Sequence, residues 1–172
     1  MPRSVKVAVQ REGYHVTPTA LYLVESTFID SLPPDEAPGE WDDALEMEAS
    51  LSLFRHSLRK MTVALSVEST EDAPVEFAVI YAGDFVMSEA LAGGETEQAW
   101  QDLAFDTAPA LLYPYIRAEI SRLTSQSRRG LLVLPFQPLP VRRPADFELP
   151  EPPDGTLQRE LPPASEGDEP RA

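Results

Sequence analysis

Hydrophobic and polar residues alternate with a period of two over two neighbouring stretches of the chain. The first extends from Leu45 to Leu53 and the second from Met61 to Val67, with mostly polar residues at the intervening positions. Successive side chains of a strand point to opposite faces, so each stretch predicts a strand with one dry and one solvated face. The short break around Arg55–Ser57 predicts an antiparallel hairpin between them.

Two more β-rich stretches flank this hairpin. The one from Val75 to Met87 has apolar residues on both faces, as does the one from Ala20 to Asp30. A strand that is apolar on both faces is typical of the centre of a sheet or of a contact between subunits. The sequence therefore predicts four antiparallel strands in succession.

The hydrophobic period changes after Gly93–Gly94. Between Trp100 and Leu123 apolar residues recur every three or four positions, which predicts a long helix. Pro109 and Pro114 each remove a backbone hydrogen bond, so we expect the helix to be kinked or broken there. A sheet followed by a helix defines an α+β fold, and one helix cannot cover two apolar sheet faces. The excess apolar surface predicts an oligomer.

Proline and acidic residues set the C-terminal end of the chain apart. Ten of the 18 prolines fall within the last 38 residues, and acids outnumber bases from Asp146 onward. Such composition provides too little burial to offset the entropy of ordering. We therefore expect one domain over residues 1–145, with an N-terminal extension over 1–19, and a disordered acidic tail over 146–172.

The charge of the chain excludes several kinds of partner. There are 29 acidic against 14 basic side chains, a net charge of −15, which repels nucleic-acid phosphates and anionic lipid surfaces. A cationic or unfolded polypeptide is the better match. The chain has no cysteine, no signal-peptide pattern and no 18-residue apolar stretch, so a cytoplasmic protein that does not enter the membrane is expected.

Few residues suggest chemistry. His15 and His56 form no ligand pattern and no nucleotide-binding motif occurs, so neither a metal nor a cofactor is expected. Acidic neighbours disfavour an anion site at Gly93–Gly94. Asp106 and Glu119 are helical acids, as in some thioesterases, although such residues are usually just exposed.

Three aromatic residues are better candidates for function. Trp41 lies in a loop rich in proline and acid, where it either folds back over a hydrophobic edge or lines a groove for a partner. Tyr113 and Tyr115 lie on either side of Pro114. One of them is expected in the core, while the other is a candidate for a groove beside the kink.

The predicted helix carries a recognisable motif. Its run APALLYPYIRAEISRLTSQ resembles the helix of SecB-type export chaperones, and the resemblance extends over about Leu21 to Pro138. The matching positions are Pro109, Leu112, Tyr113, Pro114, Tyr115, Arg117, Ile120, Leu123, Thr124, Ser125 and Gln126. The strand end AGDFVM and the position of Trp41 are also similar to that family.

The resemblance implies an ATP-independent chaperone that holds unfolded preproteins and delivers them to the motor ATPase of the export translocase. It implies a homotetramer built as a dimer of dimers. It further implies a client groove and, at Glu25, an acid offered to the motor ATPase. The implied groove residues are Trp41, Phe77, Phe85, Tyr113 and Tyr115.

Two departures from the family pattern bear on that function. An acid that the family carries on its last strand is replaced by Ala78, and the closing helix of the family is replaced by PLPVRRPADFELPEPP. Docking to the motor and closure of the groove are the properties affected. Three alternatives stay open: a chaperone of this fold dedicated to one client such as an antitoxin, a small α+β thioesterase or hydrolase, and an adaptor whose apolar faces only assemble the oligomer.

Overall fold

The computed structural model describes residues 9–11, 14–30, 47–70, 75–88, 94–141, 143–145 and 147–153. These residues form one antiparallel sheet and one long helix. The strands are β1 (Val9–Arg11), β2 (Tyr14–Asp30), β3 (Met47–Arg55), β4 (Lys60–Ser69) and β5 (Val75–Met87). The helix comprises α1 (Gly94–Asp102), a π-helical turn (Leu103–Thr107) and α2 (Ala108–Thr124).

The spatial order of the strands is β1-β2-β5-β4-β3, with every neighbouring pair antiparallel. The predicted α+β class and the predicted sequence of four strands and a helix are confirmed. The sheet contains one more strand than expected, because β1 pairs with the first residues of β2. This order makes β3 an edge strand and gives β5 a central position between β2 and β4.

Strand β2 begins at Tyr14, six residues before the expected start at Ala20. The added residues include Pro18, which disfavours a strand because proline donates no backbone hydrogen bond. The register of β2 against β5 shifts between Pro18 and Ala20, and bulges of this kind are where strands tolerate proline. Half of the expected N-terminal extension thus contributes backbone to the sheet.

Strands β3 and β4 form the predicted hairpin. Its turn is closed by the backbone N–H of His56, which donates to the carbonyl oxygen of Lys60 at 2.9 Å. The register places Leu51 opposite Leu65 and Leu53 opposite Val63. The apolar residues of both strands consequently lie on the face that the helix covers.

The helix packs across this face and encloses the core. Trp100 is fully buried, and its indole N–H donates to the carbonyl oxygen of Leu58 in the β3–β4 turn at 2.9 Å. Arg55 and Glu97 form a bidentate ion pair with distances of 3.0 and 2.6 Å. These contacts fix the start of the helix to the hairpin.

The two prolines of the helix have different consequences. The helical backbone is continuous from Gly94 to Thr124 rather than broken, but it widens into a π-helical turn directly before Pro109. There the N–H of Ala108 bonds to the carbonyl oxygen of Leu103, five residues back. Pro109 follows directly after this π-helical turn, so its missing N–H falls where the regular hydrogen-bond pattern of the helix is already interrupted. Pro114 remains inside α2.

The chain reverses direction at Gly130, whose φ is +81°. The following residues run back along α2. The carbonyl oxygen of Leu132 accepts a hydrogen bond from the Ser121 hydroxyl, and its N–H donates to the Thr124 hydroxyl. The guanidinium of Arg117 donates to the carbonyl oxygen of Leu134 at 2.9 Å. We call the described residues between 137 and 153 the C-terminal strap. Those of the strap that line a groove with β3 are Leu139, Pro140, Val141, Pro144 and Phe147. Within the described part, no helix is long and apolar enough to cross a membrane.

The strap includes the start of the predicted tail. Residues 147–153 contact the body of the domain: the ring of Phe147 packs edge-on against that of Phe105, with centroids 4.9 Å apart, and Pro152 is buried. Within this stretch Phe147 and Leu149 supply apolar surface that the surrounding acids obscure in the composition. Residues 154–172 lie outside the described residues, and their disorder stays a prediction.

Candidate functional site

An apolar groove of about 720 Å³ runs between β3 and the C-terminal strap. Its floor consists of the four helix-side residues of β3 together with Phe105 of the π-helical turn, and its wall belongs to the strap. The floor residues of β3 are half-buried, so they retain apolar surface beyond what the core uses. The principal apolar lining residues are Met47, Ala49, Leu51, Leu53, Phe105, Leu139, Val141 and Phe147.

One side of the groove is the backbone edge of β3. This strand pairs with β4 alone among the described strands. Between β3 and residues 139–147 of the strap, as far as they are described, there is no backbone–backbone hydrogen bond. The strand carries Glu48 near its start and Arg55 at its end but no charge and no proline between them. Charged residues and prolines usually protect edge strands from pairing. Because the middle of β3 carries neither, this edge is an open template for an extended peptide.

Side-chain contacts hold the strap over the helix. The guanidinium of Arg143 lies 5.7 Å from the centroid of the Phe105 ring and donates to the side-chain oxygen of Gln101. Phe147 contacts the same ring edge-on. Phe105 therefore links the floor of the groove to its wall.

The aromatic residues implied by the family resemblance do not converge on this groove. Phe85 is fully buried and Tyr113 is 1% exposed, so both pack the core and present no surface to a partner in this structure. Phe77 is also buried, although it borders a separate depression of about 390 Å³ at the end of the sheet. Trp41 lies outside the described residues.

Tyr115 occupies a different surface, over β2 and β5. Its ring stacks on that of Tyr81 with centroids 5.6 Å apart and an interplanar angle of 28°, and it remains 42% exposed. Burial raises the pKa of the Tyr81 hydroxyl, and the charge of Glu119 raises it further. Tyr81 lies opposite Leu23 in the register of β5 and β2. The exposed ring of Tyr115 thus continues an apolar strip along β2 rather than the groove beside β3.

Glu119 takes part in a network that joins the helix to β2. Its carboxylate accepts from the Ser26 hydroxyl at 2.7 Å and from the Arg122 guanidinium at 2.6 and 2.9 Å. The hydrogen bond from Arg122 is the main cause that holds the pKa of this carboxyl below its usual range. A carboxylate engaged in this way is a poor general base, because protonating it would require breaking these bonds. Asp106, the other helical acid, is exposed on the π-helical turn.

The face of the sheet opposite the helix, which we call the outer face, is acidic. The register places Glu68 of β4 directly opposite both Glu48 of β3 and Ala78 of β5. Glu25 of β2 lies opposite Ile80 on the same face, and Glu25, Glu48, Glu68 and Glu76 are exposed there. Although Ala78 carries no charge, its neighbours Glu68 and Glu76 keep that part of the face negative.

The groove beside β3 is a feature that the sequence did not identify as a site. The alternation of β3 predicts its dry face, but a dry face at the centre of a sheet and one at an edge have the same sequence pattern. Phe105 and Phe147 give no periodic signal that links them. Among the described residues, no three His, Asp or Glu side chains are grouped as a metal site would require.

Comparison with known proteins relates this architecture to solved structures. No model of a protein family matches the chain, and no curated protein matches it at a significant level. One similar structure is the SecB-like chaperone Rv1957 of Mycobacterium tuberculosis, solved in complex with a ChAD peptide from the Rv1956 HigA1 antitoxin. It is 19% identical, with a TM-score of 0.55 over 71% of this chain and 87% of that chain. Another is a protein of unknown function from Streptococcus agalactiae, 12% identical with a TM-score of 0.40 over 72% of this chain and 99% of that one. The strand order, the long helix and the match to Rv1957 together define a SecB-like fold.

Proposed function

We propose that this protein is an ATP-independent chaperone that holds unfolded polypeptide segments in the groove beside β3. The observation that carries the proposal is the combination of a strand edge that no described strand pairs with and a row of half-buried apolar side chains next to it. An extended segment of a client adds to the edge through backbone hydrogen bonds, which do not depend on its sequence. Its alternate side chains enter the groove.

The charge of the protein supports this choice of client. A net charge of −15 keeps the chaperone soluble while its apolar groove is open, and it attracts the basic segments of unfolded chains. The attraction between exposed charges weakens as salt is added. Binding of a basic unfolded client is therefore expected to weaken with salt but not to disappear, because the apolar contacts in the groove remain.

We further propose that the clients are preproteins destined for export and that the motor ATPase of the translocase receives them. The support for a docking surface is the acidic outer face around Glu25, where Glu68 and Glu76 flank the uncharged Ala78. A surface of this charge attracts a basic domain. Glu25 lies on β2, which β5 and β4 separate from β3, so a partner docked around Glu25 leaves the client groove open.

A dedicated client is the second candidate. It is favoured by one observation: the similar structure of Rv1957 holds a peptide from an antitoxin. The two candidates differ in what is retained on the protein after rapid purification from its native cells. General export gives many preproteins with signal sequences, whereas a dedicated chaperone gives one recurrent polypeptide.

The groove is tested by truncating its floor. We expect Leu51→Ala to weaken the affinity for reduced, carbamidomethylated ribonuclease A, a basic unfolded chain, by about threefold to tenfold, because a client spreads its contacts over many side chains. Fluorescence anisotropy of the labelled client measures the dissociation constant. Circular dichroism and light scattering establish that the variant is folded and assembled like the parent.

Phe54→Ala is the matched control. Phe54 lies on the same strand, three residues away, but on the outer face with 69% of its side chain exposed. We expect this larger truncation to leave the affinity unchanged. If Phe54→Ala weakens binding and Leu51→Ala does not, the client site is on the outer face and the proposed groove is wrong.

A further inference from the structure

We infer that the C-terminal strap is an internal competitor for the client groove, which a client must displace in order to bind along the whole of β3. The inference rests on the proposed function and concerns the regulation of the same site. In the structure the strap covers part of the apolar surface that the client would cover. It does so with side chains of the kind that a client would supply.

The apolar contacts of the strap resemble those of a bound peptide. Leu139, Val141 and Leu149 pack against the core while remaining partly exposed. Phe147 reaches the ring of Phe105, and Arg143 approaches the same ring. Phe105 also belongs to the groove floor beside the β3 residues. The strap and a client therefore compete for the same surface.

The strap lacks what a client can add. Its prolines, among them Pro138, Pro140 and Pro144, cannot donate to a strand edge, and no backbone hydrogen bond joins its described residues 139–147 to β3. A client strand makes the same apolar contacts and gains the backbone bonds as well. Displacement of the strap by a client is favourable because the client gains these backbone hydrogen bonds.

The covalent connection determines how strongly the strap competes. A tethered segment acts at an effective concentration of about 1 mM, so even weak contacts keep it on the groove for most of the time. The apparent dissociation constant for a client is then raised by the inverse of the fraction of molecules whose groove is open. Releasing the strap lowers that constant towards its intrinsic value.

Phe147→Ala tests the inference. It removes the ring contact with Phe105 while leaving the floor of β3 intact. We expect the variant to bind reduced, carbamidomethylated ribonuclease A about tenfold more tightly than the parent, and Arg143→Ala to act in the same direction. Phe136→Ala is the matched control, since Phe136 is 84% exposed, stacks on Arg117 at 3.9 Å and does not line the groove. Its affinity is expected to equal that of the parent.

A second measurement needs no client. Opening of the groove exposes apolar surface, so the fluorescence of the dye 8-anilinonaphthalene-1-sulfonate should rise in Phe147→Ala and remain unchanged in Phe136→Ala. Unchanged dye fluorescence in Phe147→Ala overturns the inference. If the dye signal rises but the client binds more weakly or equally well, the strap assists client binding or has no effect on it, and the inference is also overturned. A parent protein that binds no unfolded client contradicts the proposed function instead, and the dye measurement still decides whether the strap covers the groove.

Discussion

Gly130 is the residue at which the chain reverses after α2. Its φ of +81° lies in the left-handed region, and a Cβ atom placed there would meet no atom within 4 Å. The cost of a side chain at this position is consequently backbone strain alone. We expect Gly130→Ala to lower the free energy of unfolding by about 1 kcal/mol, as measured by urea denaturation.

Gly94 provides the control for this substitution. A Cβ atom there also meets nothing within 4 Å, but its φ is not in the left-handed region. Gly94→Ala should leave the stability unchanged or raise it slightly, because alanine reduces the entropy of the unfolded chain. If both variants lose the same free energy of unfolding, the backbone strain assigned to a side chain at position 130 is absent.

Glu119 makes the stability depend on pH. Its pKa in the folded protein lies below the ordinary value of 4.5, principally because Arg122 hydrogen-bonds to the carboxylate. A depressed pKa contributes stability that is complete above the unfolded value and is lost as the pH falls through the folded value. We expect Glu119→Gln to cost about 1 kcal/mol at pH 7, a modest amount because the Arg122 side chain is largely exposed.

The difference in the free energy of unfolding between Glu119→Gln and the parent should narrow as the pH is lowered below 4.5. Urea denaturation at pH 7, 5, 4 and 3 measures it. Glu25→Gln is the control, because Glu25 is an exposed acid on the strand that also carries Ser26. This substitution is expected to leave the free energy of unfolding at pH 7 unchanged. A constant difference across this range would mean that Glu119 stabilises the fold through shape rather than through charge.

At the scale of the elements, the sequence predicts the fold class and also which residues of β3 and β4 lie on the same face of the sheet. Half-buried residues alternate with exposed ones in β3, and buried residues alternate with exposed or half-buried ones in β4 as far as Leu65, so both strands show the period of two. The hydrophobic pattern does not predict β1 or the first six residues of β2, which pair through their backbone and include Pro18. Backbone pairing of this kind leaves no hydrophobic pattern in the sequence.

The candidate site was less predictable than the fold. The family resemblance implies groove positions for Phe85 and Tyr113, but the structure buries both side chains in the core. Which aromatic residue is buried depends on how the helix is rotated on the sheet, and the π-helical turn before Pro109 changes that rotation. The groove itself depends on which strand lies at the edge, and strand order is a property of tertiary structure.

At the scale of the whole molecule, β2 presents a second open edge. Strand β1 pairs only with Tyr14–Val16, and no other described strand pairs with the same side of Thr17–Asp30. Three large apolar residues on β2, Leu23, Val24 and Ile29, are between 42% and 55% exposed. These residues support one subunit contact along β2. Together with the dimer of dimers that the family resemblance implies, we expect a homotetramer in solution, in which each specific interface buries more than about 1,000 Å².

Light scattering at micromolar concentration measures the assembly. Val24→Asp should reduce the mass below that of a tetramer, because it places a charge within the contact. Phe54→Asp, on the strand at the opposite edge of the sheet, should leave the mass unchanged. A parent protein that is monomeric under these conditions would contradict the expected assembly.

The attachment of the strap has a consequence for how such a protein can diversify. The strap adjoins the groove through separate side chains such as Val141 and Phe147, and no backbone bond ties its described residues 139–147 to β3. A substitution in it reshapes the groove wall without disturbing the pairing of any strand. If the proposed function holds, substitutions in the strap change the choice of client while the sheet and the helix, which supply the groove floor, stay the same.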